Sequence, residues 1–318
     1  MNENLNRTVL VAGGAGFLGS HIAKRFFYEG YKVLVLDGLL EGSGGDERNL
    51  EPILRYIDFL KVDIRDADQF ADEIEKCHLI VDCMAWTSHH KALQDPIYDL
   101  QLNAESHLHL LKYLNSNQKI IYLGSRSQYG IPDVSVINEE TAMVPVDIQG
   151  IHKLAAESYY RVYARLKKLN VISLRFPNCF GENQPTQGED VGLVGGFIRS
   201  LLDKKLVEVF GIRRRRALVY APDLAEVVLR LSKTPISGFS AFNIKGKDIH
   251  IKSLVEILIE LIGHGAYQLT PLPADITAID VGNAVFDNTK LGEVIEDIPL
   301  TDLREALTAT IKYFKENL

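Results

Sequence analysis

Thr8-Val9-Leu10-Val11-Ala12-Gly13-Gly14-Ala15-Gly16-Phe17-Leu18-Gly19-Ser20 is the stretch from which the rest of the chain is read. The apolar run Val9 to Ala12 enters a glycine cluster, an amphipathic segment follows to Glu29, and a second apolar run, Val33 to Leu36, ends in Asp37. The pattern is strand, tight turn, helix, strand, closed by an acid. Gly13 lets the chain turn sharply off the strand, Gly16 lets backbone approach a pyrophosphate, and Gly19 lets helix and strand pack closely. The helix then presents the free N–H groups of Phe17 and Leu18, and its positive dipole end, to phosphate. Asp37 is placed to accept both hydroxyls of an adenosine ribose and to repel a 2′-phosphate, which favours NAD over NADP. A glycine-rich turn alone is weak evidence. Here the strand, the helix and the acid supply the context the motif requires.

The rhythm continues. Strands are expected near Thr8–Ala12, Lys32–Leu36, Phe59–Val62, Leu79–Cys83, Ile120–Leu123 and Val171–Leu174, with helices near Phe17–Glu29, Asp66–Lys76, Ile97–Asn115 and Gly150–Lys168. Strands alternating with helices define an α/β protein with a doubly wound parallel sheet of the Rossmann type. Beyond Arg175 the pattern loosens, with Pro177, Gly181, Pro185 and Gly188 punctuating an irregular stretch. Helices near Val194–Asp203, Pro222–Ser232, Ser253–Ile262 and Leu303–Phe314 follow, with strands near Val207–Phe210 and Ala241–Ile244. The expected division is a dinucleotide-binding domain over 1–175 and a smaller mixed α/β substrate-binding lobe over 176–318. Part of 222–250 is expected to return to the first domain.

Composition narrows the classes. A chain of 318 residues with 46% hydrophobic content can bury a large core, and a net charge of −7 speaks against a general nucleic-acid surface. Three cysteines, Cys77, Cys83 and Cys179, show no ligand spacing and suit a reducing compartment. The start, Met1 to Thr8, lacks an apolar signal core, and no run approaches the ~20 apolar residues of a membrane span. The expectation is a soluble cytoplasmic protein without nucleic-acid or membrane partners. His89-His90 has no third ligand at suitable spacing, so no metal is expected.

The spacing Gly-x-x-Gly-x-x-Gly resembles the extended short-chain dehydrogenase/reductase family, and further segments resemble its NAD-dependent nucleotide-sugar epimerases and dehydratases, of the UDP-glucose 4-epimerase kind. Ser125-Arg126-Ser127-Gln128-Tyr129-Gly130 resembles their Ser-x-x-x-Tyr-Gly segment, which puts Ser125 at the catalytic hydroxyl position. Gln149-Gly150-Ile151-His152-Lys153-Leu154-Ala155-Ala156-Glu157 resembles Tyr-Gly-x-x-Lys-Leu-Ala-Ala-Glu. Lys153 falls on the lysine that holds the nicotinamide ribose, but the acid/base tyrosine is replaced by Gln149. Residues four apart share a helix face. Leu174-Arg175-Phe176-Pro177-Asn178-Cys179-Phe180-Gly181 resembles Leu-Arg-x-x-Asn-x-x-Gly, implying Pro177 against the nicotinamide and Asn178 on the substrate phosphates.

In the run Arg213 to Ala225, Arg216 falls on the family's pyrophosphate arginine. Asp63 and Ile64 would meet the adenine, and the loop of Thr87 would line the sugar pocket, with Asn103 supporting the central strands. Arg126 and Ser127 stand where dehydratases carry Asp-Glu, which counts against dehydration and leaves Arg126 a substrate-side candidate.

An amide cannot move the proton that leaves with hydride transfer, a task worth ~10²–10⁴ in rate. Either another group supplies it, with His152 the first candidate and Tyr129 or a water held by Ser125 next, or the chain binds NAD and a nucleotide-diphosphate sugar without turnover. A glutamine introduced in place of a native tyrosine is the last alternative. The resemblance implies an NAD-dependent nucleotide-sugar epimerase, with a silent binding protein or a reductase/dehydratase as alternatives. It also implies a homodimer through the helices 97–115 and 150–168, whose Ile97, Leu100, Leu108, Ile151, Val162 and Leu166 have helical apolar spacing.

Overall fold

The computed structural model describes residues 7–187, 192–272 and 282–318. Gly188 lies outside them. In the first half the strands are β1 (Thr8–Ala12), β2 (Lys32–Asp37), β3 (Asp58–Lys61), β4 (Leu79–Asp82), β5 (Lys119–Leu123), β6 (Val136–Ile137) and β7 (Asn170–Arg175). The helices there are α1 (Phe17–Tyr28), α2 (Ala71–Glu75), α3 (His89–Gln94), α4 (Pro96–Leu100), α5 (Ser106–Tyr113) and α6 (Ile148–Leu166). The second half carries β8 (Asn178–Phe180), α7 (Gly192–Leu202), β9 (Val207–Phe210), β10 (Arg215–Tyr220), α8 (Ala221–Lys233), β11 (Phe239–Asn243), β12 (Lys247–His250) and α9 (Ile251–Ile262). It ends with β13 (Tyr267–Thr270), β14 (Val285–Phe286), α10 (Thr289–Gly292) and α11 (Leu303–Asn317).

Seven strands form one sheet in the order β11-β7-β5-β4-β1-β2-β3, every neighbouring pair parallel. This is the doubly wound Rossmann-type arrangement. Helices cover both faces, so the central strands read as unbroken apolar runs rather than alternating ones. Val9, Val11, Val33 and Val81 pack on one side with Ile22, Phe26 and Val228, while Leu10, Ile80, Ile120 and Tyr122 pack on the other with Leu110, Ala156 and Tyr160. The winding reverses between β1 and β4, which leaves a crevice at the carboxyl ends of these two strands. A separate core of Ile198, Leu201, Leu254, Leu258, Leu307 and Phe314 holds α7, α9 and α11 together.

Two sequence expectations change, and one stretch left unassigned takes shape. The helix expected over Ile97–Asn115 is broken into α4, a π-helical turn at Gln101–Glu105 and α5. At the break Asn103, fully buried on the π turn, accepts from Trp86 N at 2.9 Å and donates to Trp86 O at 2.8 Å, which ties the turn to the loop after β4. Wide turns of this kind concentrate at functional sites. The helix expected over Asp66–Lys76 starts as a 3₁₀ segment, Ile64–Phe70, and becomes α-helical only at α2. The arginine run 213–216 is half strand: Arg215 and Arg216 open β10, which pairs antiparallel with β12 and parallel with β8.

Candidate active site

A cleft of about 430 Å³ runs along the carboxyl edge of the sheet. Gly13, Gly16, Phe17 and Leu18 form its floor, Asp37, Asp63 and Ile64 one end, and Thr87, His89, Phe176 and Asn178 the other.

The floor excludes side chains. Gly13 has φ +72°, and a Cβ on it would stand 3.0 Å from Met84 N. A Cβ on Gly19 would stand 2.1 Å from Gly13 O, an overlap that no side chain can relieve because both partners are backbone. Gly16 caps α1 with no side-chain bond, so the first N–H groups of the helix are left for a ligand. Such a floor fits a pyrophosphate.

Asp37 closes β2 and is 8% exposed. Its Oδ2 accepts from Ala15 N and its Oδ1 from Leu39 N, both at 2.9 Å, so the carboxylate is fixed against the turn. Burial pushes its carboxyl above the usual range, opposed by the amides of Leu39, Ala15 and Gly16. Asp63 caps the 3₁₀ segment and is clamped by the Arg65 guanidinium, at 2.5 Å from Nη2 to Oδ2. Burial raises the Asp63 carboxyl, but the bonds from Arg65 outweigh this and hold it below the usual range.

Behind the cleft wall lies a polar layer. Lys153 on α6 is buried, its Nζ donating to Met84 O at 3.2 Å and Leu123 O at 3.4 Å, and burial lowers its pKa. Met84 lines the cleft. Gln149 is 6% exposed and spends its Nε2 on Trp86 O at 2.8 Å, the carbonyl that Asn103 also donates to. His152 stands on the next flank of α6, its Nδ1 2.6 Å from Oδ1 of the fully buried Asp99. Asp99 Oδ2 accepts from Asn103 Nδ2 at 3.0 Å, so one network joins His152, Asp99, Asn103, Trp86 O and Gln149.

Ser125 is the N-cap of a 3₁₀ turn, with its Oγ accepting from Ser127 N at 3.2 Å and Ser127 Oγ at 2.9 Å. That turn is tied to the cleft by Arg126 N donating to Phe176 O at 3.1 Å. Tyr129 is buried in a different direction, its OH donating to Asn243 Oδ1 and accepting from Arg175.

The structure therefore brings Gly13, Gly16, Phe17, Leu18, Asp37, Asp63, Ile64, Thr87 and Asn178 onto one surface. Ser125, Arg126, Gln149, His152, Lys153, Pro177 and Arg216 are not among the residues lining that cleft. Arg216 Nη1 donates to Arg215 O and Gly282 O, and Arg126 Nη2 reaches Gly282 O and Ala284 O, so both arginines meet one backbone segment.

Two features escaped the sequence reading. Asp99, the partner of His152, sits in an ordinary helical pattern. Asp82, 1% exposed at the end of β4, accepts from Tyr160 OH at 2.6 Å and lies 2.5 Å from His107 Nδ1. An acid inside an apolar strand was the available signal for Asp82. Among the described residues no group of three or more His, Cys, Asp or Glu side chains could hold a metal, and no helix is long and apolar enough to cross a membrane.

A crevice at a topological switch point, with a glycine turn and a strand-end acid, defines a dinucleotide-binding α/β protein. Residues 9–244 match the NAD dependent epimerase/dehydratase family; the chain belongs to it, and its cofactor is NAD. UDP-glucose 4-epimerase of Mycolicibacterium smegmatis is 27% identical, over 96% of this chain and 98% of its own. The solved UDP-glucose 4-epimerase of Thermotoga maritima with UDP-glucose is 28% identical with a TM-score of 0.85, covering 98% of this chain and 99% of that one. The Thermus thermophilus UDP-glucose 4-epimerase complex with NAD is 25% identical with a TM-score of 0.83, covering 98% and 100%.

Proposed function

We propose that the protein is an NAD-dependent nucleotide-sugar epimerase acting by transient oxidation of a sugar carbon. The observation that carries this reading is the single cleft from Asp37 to Asn178, in a chain similar to UDP-glucose 4-epimerases over nearly its whole length. Bound NAD would take the carbinol hydrogen as hydride and return it to the other face of the sugar. In this reading Asn178 binds the pyrophosphate from the cleft lining, while Lys153, Ser125 and Arg216, which lie outside that lining, would meet the ribose, the reacting hydroxyl and the pyrophosphate in the loaded protein. Thr87 and Arg126 belong to the sugar side. In this reading residues 1–175 bind the cofactor and most of 176–318 the substrate, with β11 joining the large sheet and α8 packed against it. The test is a panel of nucleotide sugars incubated with the NAD-loaded protein. Conversion of one sugar to its epimer without accumulation of reduced cofactor supports the proposal, and net oxidation or dehydration of the sugar sinks it. One observation favours a silent binder as the second reading: the Gln149 amide is committed to Trp86 O. Sugar-nucleotide binding without conversion of any sugar to its epimer would establish that reading instead.

Cofactor choice follows from Asp37. Titration calorimetry is expected to give NAD an affinity at least ~10-fold above NADP, because the fixed carboxylate would meet a 2′-phosphate. Equal affinities would remove Asp37 from this role.

A homodimer belongs to the same proposal. Ile97 on α4 is 64% exposed, and Val162 and Leu166 on α6 are 51% and 73% exposed, alongside Leu93 and Ile151. Isologous pairing across a two-fold axis would cover this apolar face. Sedimentation at micromolar concentration is expected to show a dimer, and Val162→Asp to shift it to monomer. A monomeric unmodified chain would refute the assignment.

A further inference from the structure

The cleft contains only five titratable side chains among the described residues: Asp37, Asp63, Cys83, Cys179 and His89. A proton must leave the sugar hydroxyl as its carbon is oxidised, and these five are the titratable groups on the cleft surface that could take it. Asp37 and Asp63 stand at the adenosine end, held by backbone amides and by Arg65. Burial drives the Cys83 and Cys179 thiols well above their ordinary range, which keeps them protonated. His89 stands at the opposite end, beside Thr87 and Asn178 in the cleft lining, and its side chain is 54% exposed. Its Nδ1 lies 3.7 Å from Oδ1 of Asp147. Asp147 is the N-cap of α6, its Oδ1 accepting from Gly150 N at 2.7 Å, and it precedes Gln149 by two residues. His152, by contrast, has its Nδ1 bound to Asp99 and does not line the cleft.

Resting on the epimerase reading, the geometry points to His89 as the residue that exchanges the proton with the sugar hydroxyl in place of the missing tyrosine. The hydroxyl O–H bond breaks and its proton passes to Nε2 of His89, the nitrogen not turned to Asp147. The electron pair of the carbinol C–H bond goes with its hydrogen to the nicotinamide, so the carbinol becomes a ketone as NAD is reduced. On return the imidazolium gives its proton back to the oxygen. Histidine is the side chain whose ordinary titration falls nearest neutral pH, as the task requires.

The test uses the full chain loaded with NAD and a panel of UDP-, dTDP- and GDP-sugars. His89→Ala is expected to lose ~10²–10⁴ of the rate at which the sugar is converted to its epimer. NAD affinity should stay unchanged, and added imidazole should restore part of the rate. His89→Gln should be equally slow and not rescued. His90→Ala, whose ring meets Gln94 on the outer side of α3, should match the unmodified chain. Independently of turnover, the ring carbon resonance of His89 should move when the active sugar nucleotide is added, and that of His90 should not. Epimer formation by the unmodified chain that survives His89→Ala within about threefold overturns the assignment of His89 alone, as does an unmoved His89 resonance. No conversion of any sugar to its epimer by the unmodified chain overturns the epimerase reading and His89 with it.

Discussion

Glu157→Ala is expected to destabilise the protein by about 3–5 kcal/mol, the cost of stripping one partner from a buried ion pair. Glu157 on α6 is 1% exposed, and so is Arg175 at the end of β7. Glu157 Oε1 accepts from Arg175 Nη2 at 2.5 Å, and Oε2 from Arg175 Nε at 2.9 Å, Ser173 Oγ at 2.7 Å and Gln128 Nε2 at 2.8 Å. Gln128 in turn accepts from Ser125 N at 2.7 Å, so one carboxylate ties α6, β7 and the Ser125 turn together. Removing it leaves a guanidinium, a hydroxyl and an amide buried without their acceptor.

The charge state has a direction as well. Burial raises the Glu157 carboxyl, but Arg175, Ser173 and Gln128 together hold it below the ordinary value of 4.5. A depressed folded-state pKa contributes stability that is present above the unfolded value and lost as pH falls through the folded one. Urea unfolding of the unmodified chain should therefore show this contribution fading below the ordinary glutamate range, and Glu157→Ala should lack it. A midpoint shift worth less than about 1 kcal/mol at neutral pH would mean that the cluster contributes little net stability.

The second large effect concerns Gln149. In a chain already carrying His89→Ala, adding Gln149→Tyr is expected to recover ~10²-fold or more of the lost hydride transfer. An amide can hydrogen-bond a hydroxyl but cannot exchange its proton, whereas a phenol can. Position 149 lies one helical turn before Lys153, whose ammonium would favour the phenolate. The exchange removes one donor from Trp86 O, but Asn103 Nδ2 still donates to it at 2.8 Å, so the loop keeps its anchor. The measurement is the rate of epimer formation in the single and double variants, with NAD affinity as the control for folding. A double variant as slow as His89→Ala would show that position 149 does not face the reacting hydroxyl. In the unmodified chain the same change should matter far less, since His89 already serves.

The elements that were legible before the fold was known are those whose determinants are local. The glycine turn, α1 and the strand ending in Asp37 depend on short-range geometry: backbone without side chains, an apolar period, an acid at a strand end. They were readable from about thirty consecutive residues. The parallel sheet was legible for the same reason, since buried strands between helices leave unbroken apolar runs. Short strands such as β8, β10 and β12 were not. Their pairing is set by partners dozens of residues away, and a stretch such as Arg213–Arg216 carries no strand signal of its own.

The direction in which each polar side chain points was likewise outside the reach of spacing. Helical periodicity puts Gln149 and Lys153 on one flank of α6, but which neighbour each meets depends on where α4, the π turn and the loop after β4 come to rest. His152, the nearer histidine in sequence, is turned to Asp99, while His89, sixty residues before Gln149 and weighed in the sequence only as a metal ligand, stands in the cleft. Local rules govern which backbone shapes a chain can form. A proton acceptor is chosen by burial, competing partners and distance, and these exist only once the elements have packed.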